Sequence, residues 1–78
     1  MPATDEAWAA FVARYQVGAV VHGDVVSVVP FGAFVRIGEV DGFAPVREWP
    51  TPLEEGAVVP VRIAAIDADT RRFAVHPA

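Results

Sequence analysis

From Gly18 onward the chain is a series of β-branched runs cut by Gly and Pro at intervals of roughly 8–12 residues, which is the pattern of an all-β barrel or sandwich. The runs predict strands over residues 19–29, 34–37, 42–46, 58–66 and 72–76. Five strands of this length fit a small Greek-key barrel. Gly23, inside the first and longest run, is where a strongly curved strand can bend without a side chain in the way. Residues 38–42 (Gly-Glu-Val-Asp-Gly) supply a hairpin connection. Two prolines keep residues 49–56 out of the sheet as a crossing loop, with a short helical turn allowed, and the polar, Asp-rich stretch 67–71 makes the last turn.

The segment before the barrel has a different period. Trp8, Phe11, Val12 and Tyr15 recur at the spacing of one helical face. Thr4 suits the N-cap, Asp5 and Glu6 oppose the positive end of the helix dipole, and Gly18 lies beyond the end as a stop. Such a helix either covers an open end of the barrel or presents Trp8 and Phe11 to a protein partner. The expected organisation is a helical extension over residues 1–17 and a barrel domain over 18–78.

A chain of 78 residues supports one core. It has no cysteine, which excludes disulfides and thiolate metal sites, so stability rests on apolar packing drawn from a 54% hydrophobic composition. The longest apolar stretches, 17–21 and 25–35, are interrupted well short of the roughly 18–20 residues that span a bilayer, and no membrane contact is expected. Met1 to Glu6 lacks the basic start and apolar centre of a secretory leader, and a cytoplasmic protein is expected. Catalysis is not expected either. Ser27 is the only serine, His22 and His76 are the only histidines, and no metal-ligand spacing or Gly-rich phosphate loop is present, so neither a metal nor a cofactor is implied.

The order of residues within the barrel resembles the S-one RNA-binding domain family. Residues 17–25 (Val-Gly-Ala-Val-Val-His-Gly-Asp-Val) are similar to the family's opening glycine, first strand and mid-strand glycine. Phe31-Gly32-Ala33-Phe34-Val35 resembles its most recognisable string. Residues 41–48 fall where the family has a glycine, an apolar pair and a glutamate. Gly56 stands where a glycine opens the fourth strand, and Ile66-Asp67 followed by Arg72-Phe73 resembles the closing strand pair. The resemblance implies an oligonucleotide-binding (OB-fold) barrel with a short N-terminal helix before it. It also implies single-stranded RNA as the partner, with bases stacked on Phe31 and Phe34. By the same resemblance Asp67, and Arg71 or Arg72, lie near the bound strand, and Arg47 replaces a usual serine and adds a positive charge near the third strand.

The residues support part of this independently. A strand period of two places Phe34 and Arg36 on one face and Val35 and Ile37 on the other, so an aromatic ring and a guanidinium sit together on the more polar surface. All six basic residues are arginines, which suit stacking and bidentate phosphate contact. Against this stands a formal net charge of −4, which repels a phosphate polymer at long range. Pro45 occupies a position where many family members have histidine, and Asp24 and Ser27 occupy positions where lysine or arginine is common. Weak, sequence-tolerant RNA binding is therefore expected, with a log–log salt slope of about −1.4 to −2.8 for two to four phosphate contacts. The alternative is a protein-interaction module on a degenerate barrel that no longer binds nucleic acid. An oligosaccharide-binding barrel is allowed by the fold but has no residue signal.

Overall fold

The computed structural model describes residues 4–49 and 52–78. Met1 to Ala3, which belong to the leader reading, and Pro50 and Thr51 of the crossing loop lie outside the described residues. The elements in order are α1 (Asp5–Arg14), β1 (Val20–Val29), β2 (Gly32–Ile37), β3 (Val40–Pro45), a single 3-10 turn (Val46–Glu48), β4 (Val58–Asp67) and β5 (Arg72–Pro77). The strands close in the order β1-β2-β3-β5-β4, with β3 and β5 parallel and every other pair antiparallel.

Closure depends on β1, which serves two neighbours. Its first half, Val20 to Asp24, pairs with β4, and its second half, Asp24 to Val29, pairs with β2. Gly23 marks the changeover. A Cβ there would overlap Val35 on the adjacent strand, so only glycine lets the two strands approach closely enough for β1 to turn the corner. A register shift between Val25 and Ser27 adds further bend. Alternation along the strands then buries Val25, Val35, Ile37, Val40, Val61, Ile63, Phe73 and Val75 in one core.

The helix begins as the sequence dictates. Thr4 Oγ1 accepts from the Ala7 N–H at 3.1 Å, and Asp5 and Glu6 occupy the first turn. It ends at Tyr15, whose N–H donates to the Phe11 carbonyl, and the chain re-enters the barrel at Gly18, whose N–H donates to Ile63 at 2.7 Å. Trp8 and Phe11 belong to the core, at 9% and 3% exposure, and the Phe11 ring stacks on Phe73 at 4.5 Å. The docking reading of these two rings is thereby corrected: Phe73 gives Phe11 an apolar partner inside the barrel, so neither ring faces solvent.

Phe11→Ala removes a buried ring and its stack on Phe73. It is expected to destabilise the fold by about 3 kcal/mol or more, measured by denaturant unfolding followed through tryptophan fluorescence. A loss under about 1 kcal/mol would mean that the helix is not packed as described.

Candidate nucleic-acid interface

The geometry of this face is set by a two-residue turn. Ile37 pairs with Val40, leaving only Gly38 and Glu39 in the loop, where the sequence pattern had suggested five residues. Gly38 has φ of +64°, and Glu39 has no positive φ, which is the pattern of a type II′ hairpin with glycine at the first central position. The resulting register sets Phe34 opposite Phe43 and Arg36 opposite Asp41. On the other side Ser27 pairs with Phe34 and Asp24 with Arg36. Two cross-strand rows follow on the outer face: Ser27, Phe34, Phe43, and Asp24, Arg36, Asp41.

Phe31 joins the aromatic row from the Pro30-Phe31 turn. It is 62% exposed, and its carbonyl accepts from the Val46 N–H at 3.1 Å, which ties the turn to the 3-10 segment. Its ring lies 5.6 Å from that of Phe43, which lies 5.6 Å from Phe34, at interplanar angles of 40° and 58°, and Phe34 and Phe43 are half-buried. Gly32 makes room for this arrangement: a Cβ there would come within 2.6 Å of Phe43 Cζ. The three rings form one continuous aromatic row along this face.

The row is one wall of an open groove of about 1010 Å³ whose charged lining is Arg36, Arg71, Arg72, Glu39 and Asp41. The positive charge is largely compensated. Arg36 Nε donates to Asp41 Oδ1 at 2.7 Å and Nη2 to Oδ2 at 3.3 Å, a bidentate pair. The hydrogen bond and charge of Asp41, with a smaller contribution from Asp24, hold the Arg36 guanidinium above its ordinary pKa. Arg71 pairs with Asp5 at the start of the helix. Exposed pairs of this kind add little stability, but they lower the field that a phosphate would meet.

The structure brings together five of the residues singled out from the sequence: Phe31, Phe34, Arg36, Arg71 and Arg72 all line the groove. Two others do not. Arg47 sits exposed on the 3-10 turn, away from the lining. Asp67 Oδ1 accepts from the N–H groups of Asp69 at 3.0 Å and Thr70 at 3.3 Å, so this carboxylate shapes the β4–β5 loop. Phe43 was missed. The alternation Val40, Asp41, Gly42, Phe43, Ala44 would have placed it beside Asp41 on the outer face, had the third strand been started at Val40 rather than at Gly42. Among the described residues no cluster of His, Asp and Glu could hold a metal ion, and no helix is long and apolar enough to cross a membrane.

Residues 14–76 match the S1 RNA binding domain. The chain belongs to that family. Nucleic-acid binding is what the family's barrel does. The small ribosomal subunit protein bS1 homolog of Bacillus cereus is 39% identical over 74% of this chain and 17% of its own length. The bS1 protein of a Staphylococcus aureus strain is 42% identical over the same shares. The chain thus spans 17% of the length of these relatives. Among solved structures, an uncharacterized protein of Methanocaldococcus jannaschii shares the S1 barrel at a TM-score of 0.76 and 20% identity, covering 82% of this chain and 93% of that one.

Arg71 carries a conformational cost. It is the one non-glycine residue with positive φ among those described, at +55°, a conformation costing about 1–2 kcal/mol for a residue with a Cβ. Arg71→Gly relieves that cost. The variant is expected to unfold at a denaturant midpoint no lower than the parent while binding RNA more weakly; a lowered midpoint with unchanged RNA affinity would contradict both halves.

Proposed function

We propose that the chain is a weak, sequence-tolerant single-stranded RNA-binding module of a translation or RNA-processing protein, acting in the cytoplasm. The observation that carries this reading is the row of three rings, Phe31, Phe43 and Phe34, lying along one wall of the groove. Stacking contributes roughly 1–3 kcal/mol per base and accepts any base, because each has a π-face. Arg72 and Arg71 lie along the same groove and are suited to the phosphate backbone. Arg36, held between Asp24 and Asp41, acts chiefly as a planar neighbour to Phe34. The ribosomal relatives support a role in translation and a cytoplasmic setting. The module works by binding alone, without a catalytic step.

One observation favours the competing reading of a protein-interaction module, namely the carboxylate pairing of Arg36 and Arg71. Trp8 and Phe11, being buried, have no part in it.

Titration with a short single-stranded RNA at low salt separates the two. Amide shifts are expected to concentrate at residues 31–36 and 41–43, and the log–log salt slope is expected to be about −1.4, corresponding to two phosphate contacts. Phe31→Ala, at an exposed turn, is expected to leave stability within about 0.5 kcal/mol and to weaken binding roughly five- to 150-fold. If those amides do not move, the RNA reading fails and the protein-interaction reading takes its place.

A further inference from the structure

Helix α1 lies almost wholly before the part of the chain that matches the S1 family, which begins at residue 14. It is packed on the barrel by Trp8 and Phe11, so its first turn is held in a fixed position. That position is the edge of the RNA groove. Thr4 and Ala7 line the same groove as Phe31, Phe34, Arg71 and Arg72. Between them, Asp5 forms an ion pair with Arg71.

Arg71 is the guanidinium whose backbone is held at positive φ by the β4–β5 loop, and Asp5 is 83% exposed against 40% for Arg71. Both partners are thus open to solvent, and a phosphate in the groove can reach the guanidinium that the carboxylate holds. A planar carboxylate and a tetrahedral phosphate each present two anionic oxygens that an arginine fork can take. They compete for it.

We propose that Asp5 is an affinity-determining residue of the RNA site: its carboxylate occupies Arg71 in place of a backbone phosphate and must be displaced when RNA binds. The inference rests on the RNA-binding reading above. It gives α1 a second task besides covering the core, and it makes the groove bind more weakly than its arginines alone would. Because the pair is exposed, displacement is easy, and its effect is to lower affinity rather than to close the site.

The test compares two variants that change the net charge by the same amount. Asp5→Asn removes the carboxylate from Arg71; Glu6→Gln removes one from the next residue, which is also exposed and also lies in the first helical turn. With a short single-stranded oligouridylate as probe, Asp5→Asn is expected to bind about two- to fivefold tighter than the parent. Its log–log salt slope is expected to stay near the parent's, because Arg71 meets a phosphate in both complexes. Glu6→Gln is expected to give less than half of that gain and no change of slope. In an Arg71→Ala background, Asp5→Asn is expected to have no effect on affinity, while unfolding midpoints show that all variants are folded. Equal gains from the two helix variants would mean that only net charge matters and would overturn the proposal. So would weaker binding by Asp5→Asn, which would make Asp5 a residue that orients Arg71 for the ligand. Both outcomes leave the RNA-binding reading standing. Absence of binding by parent and Asp5→Asn alike overturns both.

Discussion

The register between β2 and β3 is the constraint on which the rest of this molecule depends. A turn of two residues, Gly38 and Glu39, fixes it. With that register the inward set, Val35 and Ile37 from one strand and Val40 and Ala44 from the other, enters the core, and the outward set places Phe34 against Phe43 and Arg36 against Asp41. A slip by one residue would send the aromatic pair inward and the valines outward, losing core and binding face together. Fold and site are therefore specified by the same hydrogen-bond ladder. The glycines serve it by removing bulk where strands and rings must approach, Gly23 under Val35 and Gly32 under Phe43.

The chemistry of the groove follows from what flanks its arginines. Three guanidiniums line it, yet Arg36 is paired with Asp41 and faces Asp24 across the strand, and Arg71 is paired with Asp5. The site thus balances aromatic surface against a nearly neutral field. In such a groove the base-stacking contribution, on the order of 1–3 kcal/mol per base, outweighs the phosphate contribution, which counterion competition reduces further as salt rises. The net charge of −4 is consistent with this balance. The groove thus offers the aromatic surface that the proposed base stacking needs and little of the net positive charge that would hold a polyanion.

Much of this was legible in the sequence, and the gaps have physical causes. The punctuation of β-branched runs by Gly and Pro identified a five-stranded barrel, and the Phe31-Gly32-Ala33-Phe34 string supplied two of the three rings that the structure sets in one row. The helix was legible from its period, but whether Trp8 and Phe11 faced in or out depended on Phe73, a partner at the far end of the chain. Val40 and Asp41 were read as loop because a short acidic stretch between glycines commonly means a turn, which started the third strand two residues late. Gly42 lies within that strand, and a Cβ at that position would come within 2.6 Å of the Phe73 ring. The late start hid the pairing of Phe43 with Phe34. Asp67 and Arg71 looked alike as polar turn residues, and only the tertiary arrangement separates them: one carboxylate folds back on its own loop, and one guanidinium reaches the helix.

The central claim is that three aromatic rings on the outer face of β2, β3 and the turn before them are the surface on which bases lie. Intermolecular nuclear Overhauser effects between a bound single-stranded RNA and the protein test it most directly. The account predicts contacts from base protons to the ring protons of at least two of Phe31, Phe34 and Phe43. Base contacts confined to the opposite face, around His22 and Pro60 where β1 meets β4, would contradict it.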